Sequence, residues 1–378
     1  MTIKNKTNKE QISSQVEKPG CIFPDVLSNF TKFGKKGKLN NICSYGGHMK
    51  QETNNRVPMF EDIPENASNI RLGHLANTKK KNAYRQEAIL GVLFAMPAIL
   101  GFIIFTLGPM LASLILSFTD YAVFNKLKFV GFENYINLFN GDNPFFYKSI
   151  LVTFYYVALS VPLGLTFHFF LAVLMNRKIK FRGIYRAVFY LPTILPIAAT
   201  CTVWMWLFNP DFGLLNYLLG FLGIPKLMWI GSEAGVVPSI VLTAVWIAGN
   251  TMVTFLAGLQ DIPRQMLEAV DVDGGNAFHK LRHITIPMVS STIFFNFIMG
   301  IINGFQVIVQ PMMMTAGGPN NSSLFYGMFL YKEAFEFSRM GSACAIAWVL
   351  FIIIMIFTGL TFKSSPMWVY YEGEVKGK

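Results

Sequence analysis

Six apolar runs decide what this chain can fold into: residues 88–118, 150–175, 187–208, 236–258, 288–314 and 342–362, none of which contains Asp, Glu, Lys or Arg. Each is near or above the ~20 residues an α-helix needs to cross ~30 Å of hydrocarbon. Core helices of a water-soluble protein need a charged outer face, and these runs offer none. A composition of 53% hydrophobic and 14% charged residues agrees. The fold class expected is all-α, a polytopic membrane protein with six transmembrane helices.

The charged residues sort by side, because Lys and Arg gather at the cytoplasmic ends of spans. Segments 79–87, 176–186, 259–287 and 363–378 together hold 15 Lys/Arg, and the alternate loops 119–149, 209–235 and 315–341 hold 6. Both termini are therefore expected in the cytoplasm. Residues 1–88 carry 15 Lys/Arg and 8 Asp/Glu, so seven of the eleven net positive charges precede the first run. Here a basic balance reports orientation in a lipid membrane. Nucleic acid is not an expected partner, since the aromatic residues lie inside apolar runs where stacking on a base is unavailable. Residues 1–78, rich in Asn, Lys, Ser and Gly, read as a disordered basic cytoplasmic tail. A start codon placed too early would look the same, with Met49 or Met59 as the alternative first residue. A six-span domain at 79–378 follows. Cys21, Cys43, Cys201 and Cys344 have neither metal-site nor disulfide spacing and read as free thiols.

The stretch between the fourth and fifth runs, 259–287, carries charges of both signs. Pro263 suits a first helical turn, and a helix is expected to continue to Asp273. Gly274 and Gly275 then stop it, because glycine adopts left-handed backbone without steric cost. A second helical segment is expected at 277–283, with Phe278, Leu281 and Ile284 at helical spacing. Pro287 is expected to mark the start of the next run. The pattern is a helix, a glycine turn and a helix at the inner membrane surface, a docking element.

This order of residues closely resembles the EAA loop of binding-protein-dependent ABC importer permeases: Glu-Ala-Ala, a Gly four residues later, then Ile-x-Leu-Pro. The matches are Glu268, Ala269, Gly274, Ile284 and Pro287, while Val270 and Ile286 depart mildly from the pattern. Leu256 to Pro263 (LAGLQDIP) and Met314 to Pro319 (MTAGGP) resemble further signatures of the carbohydrate-uptake branch. The resemblance covers roughly residues 88–362. It implies a permease subunit of a bacterial or archaeal cell (inner) membrane, forming half of a pathway for an oligosaccharide or sugar derivative. The implied partners are a second related permease, two cytoplasmic ATP-binding subunits and an extracytoplasmic solute-binding protein. Glu268, Ala269, Asp273, Gly274, Ile284 and Pro287 would then form the ATPase-coupling surface.

The remaining chemistry is mostly negative. A proton pump or intramembrane hydrolase would place ionisable groups at membrane depth, and the runs hold only His168. It reads as a hydrogen-bonded packing residue more readily than as a relay. His279 and His283 stand i, i+4 without a third ligand, so no metal is expected. GxxxxGK[ST] does not occur, so energy must come from another chain. No catalytic residues and no cofactor are expected.

The runs do carry uncharged polar groups: Asn250, Thr251 and Thr254 in the fourth, and Asn296, Asn303, Gln306 and Gln310 in the fifth. Amides and hydroxyls answer sugar hydroxyls as both donors and acceptors, and rings such as Trp246 and Phe305 can cover sugar faces. The same residues also serve as glue between membrane helices. Asn250, Thr254, Asn303, Gln306 and Gln310 are the candidate pathway residues, with Gln306 foremost because the resemblance places polar pathway residues in that span. The seven prolines within runs, at 97, 109, 162, 192, 196, 238 and 311, are expected to kink or break helices. Two other classes stay open on residues alone. One is a Na⁺-coupled secondary carrier, which usually shows two related halves. The other is a multi-pass membrane enzyme, which would need a constellation of catalytic acids and bases.

Overall fold

The computed structural model describes residues 87–122, 127–141, 143–177 and 179–370, so the expected tail lies outside the described residues. A chain in hydrocarbon must satisfy its backbone N–H and C=O groups internally, and the apolar runs accordingly become helices. In order these are α1 (Glu87–Leu116), α2 (Glu133–Phe139), α3 (Pro144–Asn176), α4 (Arg182–Ile194), α5 (Ile197–Leu207), α6 (Leu214–Phe221) and α7 (Glu233–Trp246). There follow α8 (Gly249–Gln260), α9 (Arg264–Val272), α10 (Ala277–Met288), α11 (Ser290–Phe305), α12 (Val309–Thr315), α13 (Tyr326–Tyr331) and α14 (Met340–Met367). A short antiparallel pair, β1 (Thr119–Asp120) and β2 (Lys128–Phe129), lies between α1 and α2.

Three runs form single long helices, α1, α3 and α14, and three form bent pairs. The bend is 102° between α4 and α5, 51° between α7 and α8, and 66° between α10 and α11. Six crossings result when each pair counts as one span. The prolines do not explain the pattern. Helices α1 and α3 stay continuous through Pro97, Pro109 and Pro162, whereas only the α4/α5 break falls at a proline, Pro196. The breaks at Ile247–Ala248, at Val289 and at 306–308 contain none. The fifth run, expected to continue to 314, ends as a helix at Phe305.

Helix α3 is the central post, packed by α7, α8 and α11. The α11 contact is close because Gly300 and Gly304 face Val161 and Val157; a Cβ at either glycine would stand 3.2 or 3.0 Å from the valine. In lipid, such close van der Waals packing drives helix association. One apolar core gathers Phe146, Phe208, Ile346 and Tyr326, and a second gathers Met175, Met252, Phe255 and Val289. Helix α13 is pinned into the first by two buried bonds. The Tyr326 N–H donates to Thr153 Oγ1 (2.8 Å) and the Tyr326 hydroxyl to the Ile346 carbonyl (2.9 Å). Helix α1 packs on α14, with Trp348 Nε1 donating to Ser113 Oγ at 3.3 Å, and otherwise turns its apolar surface outward.

Candidate functional site

The charged stretch folds as a helix, a turn and a helix. Pro263 sits at the N-cap of α9, and Asp273 caps the other end. Gly274 has φ +75°, the left-handed conformation that favours glycine. Its N–H donates to the Asp271 carbonyl (3.1 Å), and the Gly275 N–H donates to the Val270 carbonyl (2.8 Å). These paired bonds are a Schellman cap. The two glycines serve different ends. Among the described residues a Cβ on Gly274 would meet nothing within 4 Å, whereas one on Gly275 would lie 2.4 Å from Val270 Cγ1.

Asn276 then starts α10, its side chain accepting from the His279 N–H at 3.0 Å. An ion pair between Lys280 and Asp271 ties α10 back to α9. The second segment is longer than the sequence suggests: a π-turn at Leu281–Thr285 carries it to Met288, so the bend toward α11 comes at Val289, two residues after Pro287. His279 and His283 stack at 5.9 Å, and His279 Nδ1 bonds Asn276 Oδ1 at 2.8 Å, so one ring nitrogen is already engaged within the loop. Glu268, Ala269, Asp273, Gly274 and Pro287 are exposed, while Ile284 is half-buried against the second core. Val272 and Phe278 are exposed by 88% and 62%, an apolar addition to this charged surface; of the three residues grouped by helical spacing, Leu281 and Ile284 are half-buried and Phe278 is not.

The polar residues of the spans meet in a cleft of about 630 Å³. It opens where the helices break. Thr193 and Ile197 flank the α4/α5 break, Val245, Ile247 and Asn250 flank the α7/α8 break, and Gln306 to Ile308 form the connection from α11 to α12, whose first turn adds Val309 and Gln310. Breaking a helix in a membrane frees backbone groups, and side chains from other spans take them up. His168 Nε2 lies 2.9 Å from the Val245 carbonyl, which can only accept, so this nitrogen carries the proton. Thr193 Oγ1 accepts the Gly249 N–H at 2.9 Å. His168 is thus a bonded residue that holds the α7/α8 break.

Four of the five candidate pathway residues line the cleft: Asn250, Asn303 and Gln306, all exposed, and Gln310, which is buried. Thr254 does not. One turn beyond Asn250, its hydroxyl bonds back to the Asn250 carbonyl at 2.9 Å. Asn296 also lines the cleft but spends its amide on the Thr292 carbonyl (2.9 Å). The two aromatic candidates lie elsewhere. Trp246 stands edge-on to Trp204 at 5.8 Å, and Phe305 is buried against Phe154 and Phe357, lining a separate apolar pocket. Tyr156, Ser160 and Thr193 are cleft residues that sequence reasoning missed, because nothing local to their runs marks them.

The signature stretches have structural roles. Gly258 of LAGLQDIP faces Thr292, whose Oγ1 would stand 2.6 Å from an added Cβ, and so lets α8 approach α11. After α12, Ala316 and Gly317 take positive φ, and Ser323 Oγ closes the turn by donating to the Gly318 carbonyl at 2.7 Å.

Broken spans around a polar cleft let a helical bundle present hydrogen-bonding groups at membrane depth, the architecture of a membrane permease. Residues 160–364 match the family described as binding-protein-dependent transport system inner membrane component, and the chain belongs to that family. It is 39% identical over 300 residues to the probable ABC transporter permease protein YesP of Bacillus subtilis (strain 168), covering 78% of this chain and 96% of that one. It is 30% identical over 277 residues to the arabinooligosaccharides transport system permease protein AraP of the same organism, covering 72% and 87%. A bacterial ABC transporter involved in the import of the acidic polysaccharide alginate shares the fold, with a TM-score of 0.66 at 20% identity over 76% of this chain and 99% of that one.

Proposed function

We propose that this permease forms half of the pathway of an ATP-driven importer for a carbohydrate, an oligosaccharide or a sugar derivative. The observation that carries the substrate class is the cleft. Amides and hydroxyls from several spans line it, and among the described residues no Asp, Glu, Lys or Arg does. Each sugar hydroxyl both donates and accepts, and Asn303 and Gln306 offer both functions to the opening. The similarity to an arabinooligosaccharide permease supports the same class.

The sequence has no GxxxxGK[ST] loop, which supports assigning hydrolysis to two cytoplasmic ATP-binding subunits. A second related permease would complete the pathway and an extracytoplasmic solute-binding protein would deliver substrate. The excess of Lys/Arg puts the 259–287 loop on the cytoplasmic side with both termini, in a bacterial or archaeal cell membrane. There the exposed surface of Glu268, Ala269, Asp273, Gly274, Val272 and Phe278 would meet one ATPase. Ile284 and Pro287 would pass its movement to α11.

The test is uptake of labelled oligosaccharides by cells or vesicles carrying the whole assembly. Uptake is expected to require ATP, to be indifferent to a Na⁺ gradient, and to accompany co-purification of a nucleotide-binding chain. Uptake that survives ATP depletion and collapses with the Na⁺ gradient would replace this reading with a secondary carrier.

A further inference from the structure

We propose that this permease carries a second saccharide site, outside the translocation cleft, in a polar pocket built around Glu333; the proposal rests on the carbohydrate reading above. The pocket, of about 400 Å³, lies among the β1 end, α2, the start of α3 and the start of α14. All its residues but Ser342 belong to loops 119–149 and 315–341, the side poor in Lys and Arg and hence extracytoplasmic.

Glu333 is the anomaly that points to a ligand. It is 2% exposed, yet among the described residues Oε2 has no hydrogen-bond partner. A π-turn at Lys332–Glu336 presents the side chain to the pocket. Asn143 Nδ2 donates to Oε1 at 3.0 Å and fixes the carboxyl plane, leaving the second oxygen toward Arg339, whose Nη1 is 4.0 Å away. That separation is too long for a hydrogen bond. A buried carboxylate oxygen left unsatisfied is costly, so a donor group completes it.

The other walls define the ligand. Asp120, Asn137 and Arg339 line the same space and are exposed to it. A cation would be repelled by the Arg339 guanidinium beside Glu333. An anion would be repelled by two carboxylates. A neutral polyhydroxyl compound suits both signs, because neighbouring hydroxyls donate to Asp120 and Glu333 and accept from Arg339 and Asn137. Burial pushes the Glu333 carboxyl above the ordinary glutamate range, against the lowering effects of Arg339 and Asn143. A hydroxyl fits either protonation state, donating to the carboxylate and accepting from the acid.

The experiment is saturation-transfer NMR on the purified assembly with maltose, trehalose and arabinotriose as probes, alongside uptake of the same sugars. At least one probe is expected to bind the wild type. Binding should weaken about tenfold in Glu333→Gln and in Arg339→Ala, since each removes a charge-assisted bond. Asn137→Ala, at an exposed position that leaves packing intact, should weaken it by a smaller factor. Wild-type affinity in all three pocket variants overturns the proposal. So does an assembly that imports a probe yet shows no binding outside the cleft, and that outcome leaves the carbohydrate reading standing. Failure to import any saccharide removes the carbohydrate reading and the second site together.

Discussion

The loop at 264–288 and the cleft among the broken spans are built in opposite ways. The loop is local: its cap closes between Val270 and Gly275, and the Asp271–Lys280 pair ties its two helices. The cleft is assembled at long range, with His168 reaching Val245 and Thr193 reaching Gly249 across 77 and 56 positions of chain. A local backbone device depends on single residues, here two glycines. A long-range polar surface shares its work among many groups. Single substitutions should therefore abolish the loop's role and only attenuate the cleft's.

The largest effect is expected at Gly275→Val. Its Cβ would stand 2.4 Å from Val270 Cγ1 and 3.0 Å from the Val270 carbonyl oxygen, so the cap cannot close as it stands. Sugar uptake should be lost while the spans still insert, as measured by membrane abundance and transport together. Next is His168→Leu, which strips the Val245 carbonyl of its partner. Thermal unfolding in detergent should show a loss of about 1–3 kcal/mol, the cost of an unsatisfied buried acceptor. Unchanged stability would mean that the α7/α8 break holds without it.

Gln306→Leu should do less. Losing one neutral hydrogen bond of about 0.5–1.5 kcal/mol lowers uptake by roughly two- to tenfold. Uptake kinetics unchanged across several sugars would make Gln306 a packing residue. Smallest is the Asp271–Lys280 pair, whose side chains are 58% and 28% exposed. A double-mutant cycle on stability should give about 0.2–1 kcal/mol, shrinking further at high salt.

The same contrast explains what could be read from the sequence. The Gly274 turn, the α9 start at Pro263 and the six runs were legible, because each is written in adjacent residues. The breaks at Ile247–Ala248 and 306–308 were not, since no proline marks them, and at the first the freed backbone groups are satisfied from other spans. Conversely, Pro97, Pro109 and Pro162 signalled interruptions that α1 and α3 absorb. Asn250, Asn303, Gln306 and Gln310 could be picked out because amides stand out in apolar runs, and all four line the cleft. Thr254 lies outside the cleft lining, its hydroxyl bonded back into its own helix one turn away. Phe305 and Trp246 lie away from the cleft, and an aromatic ring in a span carries no sign in the sequence of which side it faces. Tyr156 and Thr193 needed the tertiary arrangement, which no single run contains.

The division between a coupling loop and a substrate cleft is tested most directly at Gly274. The position has room for a side chain, with nothing inside 4 Å among the described residues, and Asp tolerates left-handed backbone better than most residues. Gly274→Asp should therefore fold and insert, and what it disturbs is the approach of another protein. Permease abundance, recovered ATPase subunit and sugar uptake should be measured on the same membranes for Gly274→Asp and Gln306→Leu. The expected result is normal abundance in both, with ATPase recovery and uptake lost only in Gly274→Asp, and ATPase recovery intact with partial uptake in Gln306→Leu. Normal uptake by Gly274→Asp at normal abundance would contradict the assignment of this loop to coupling.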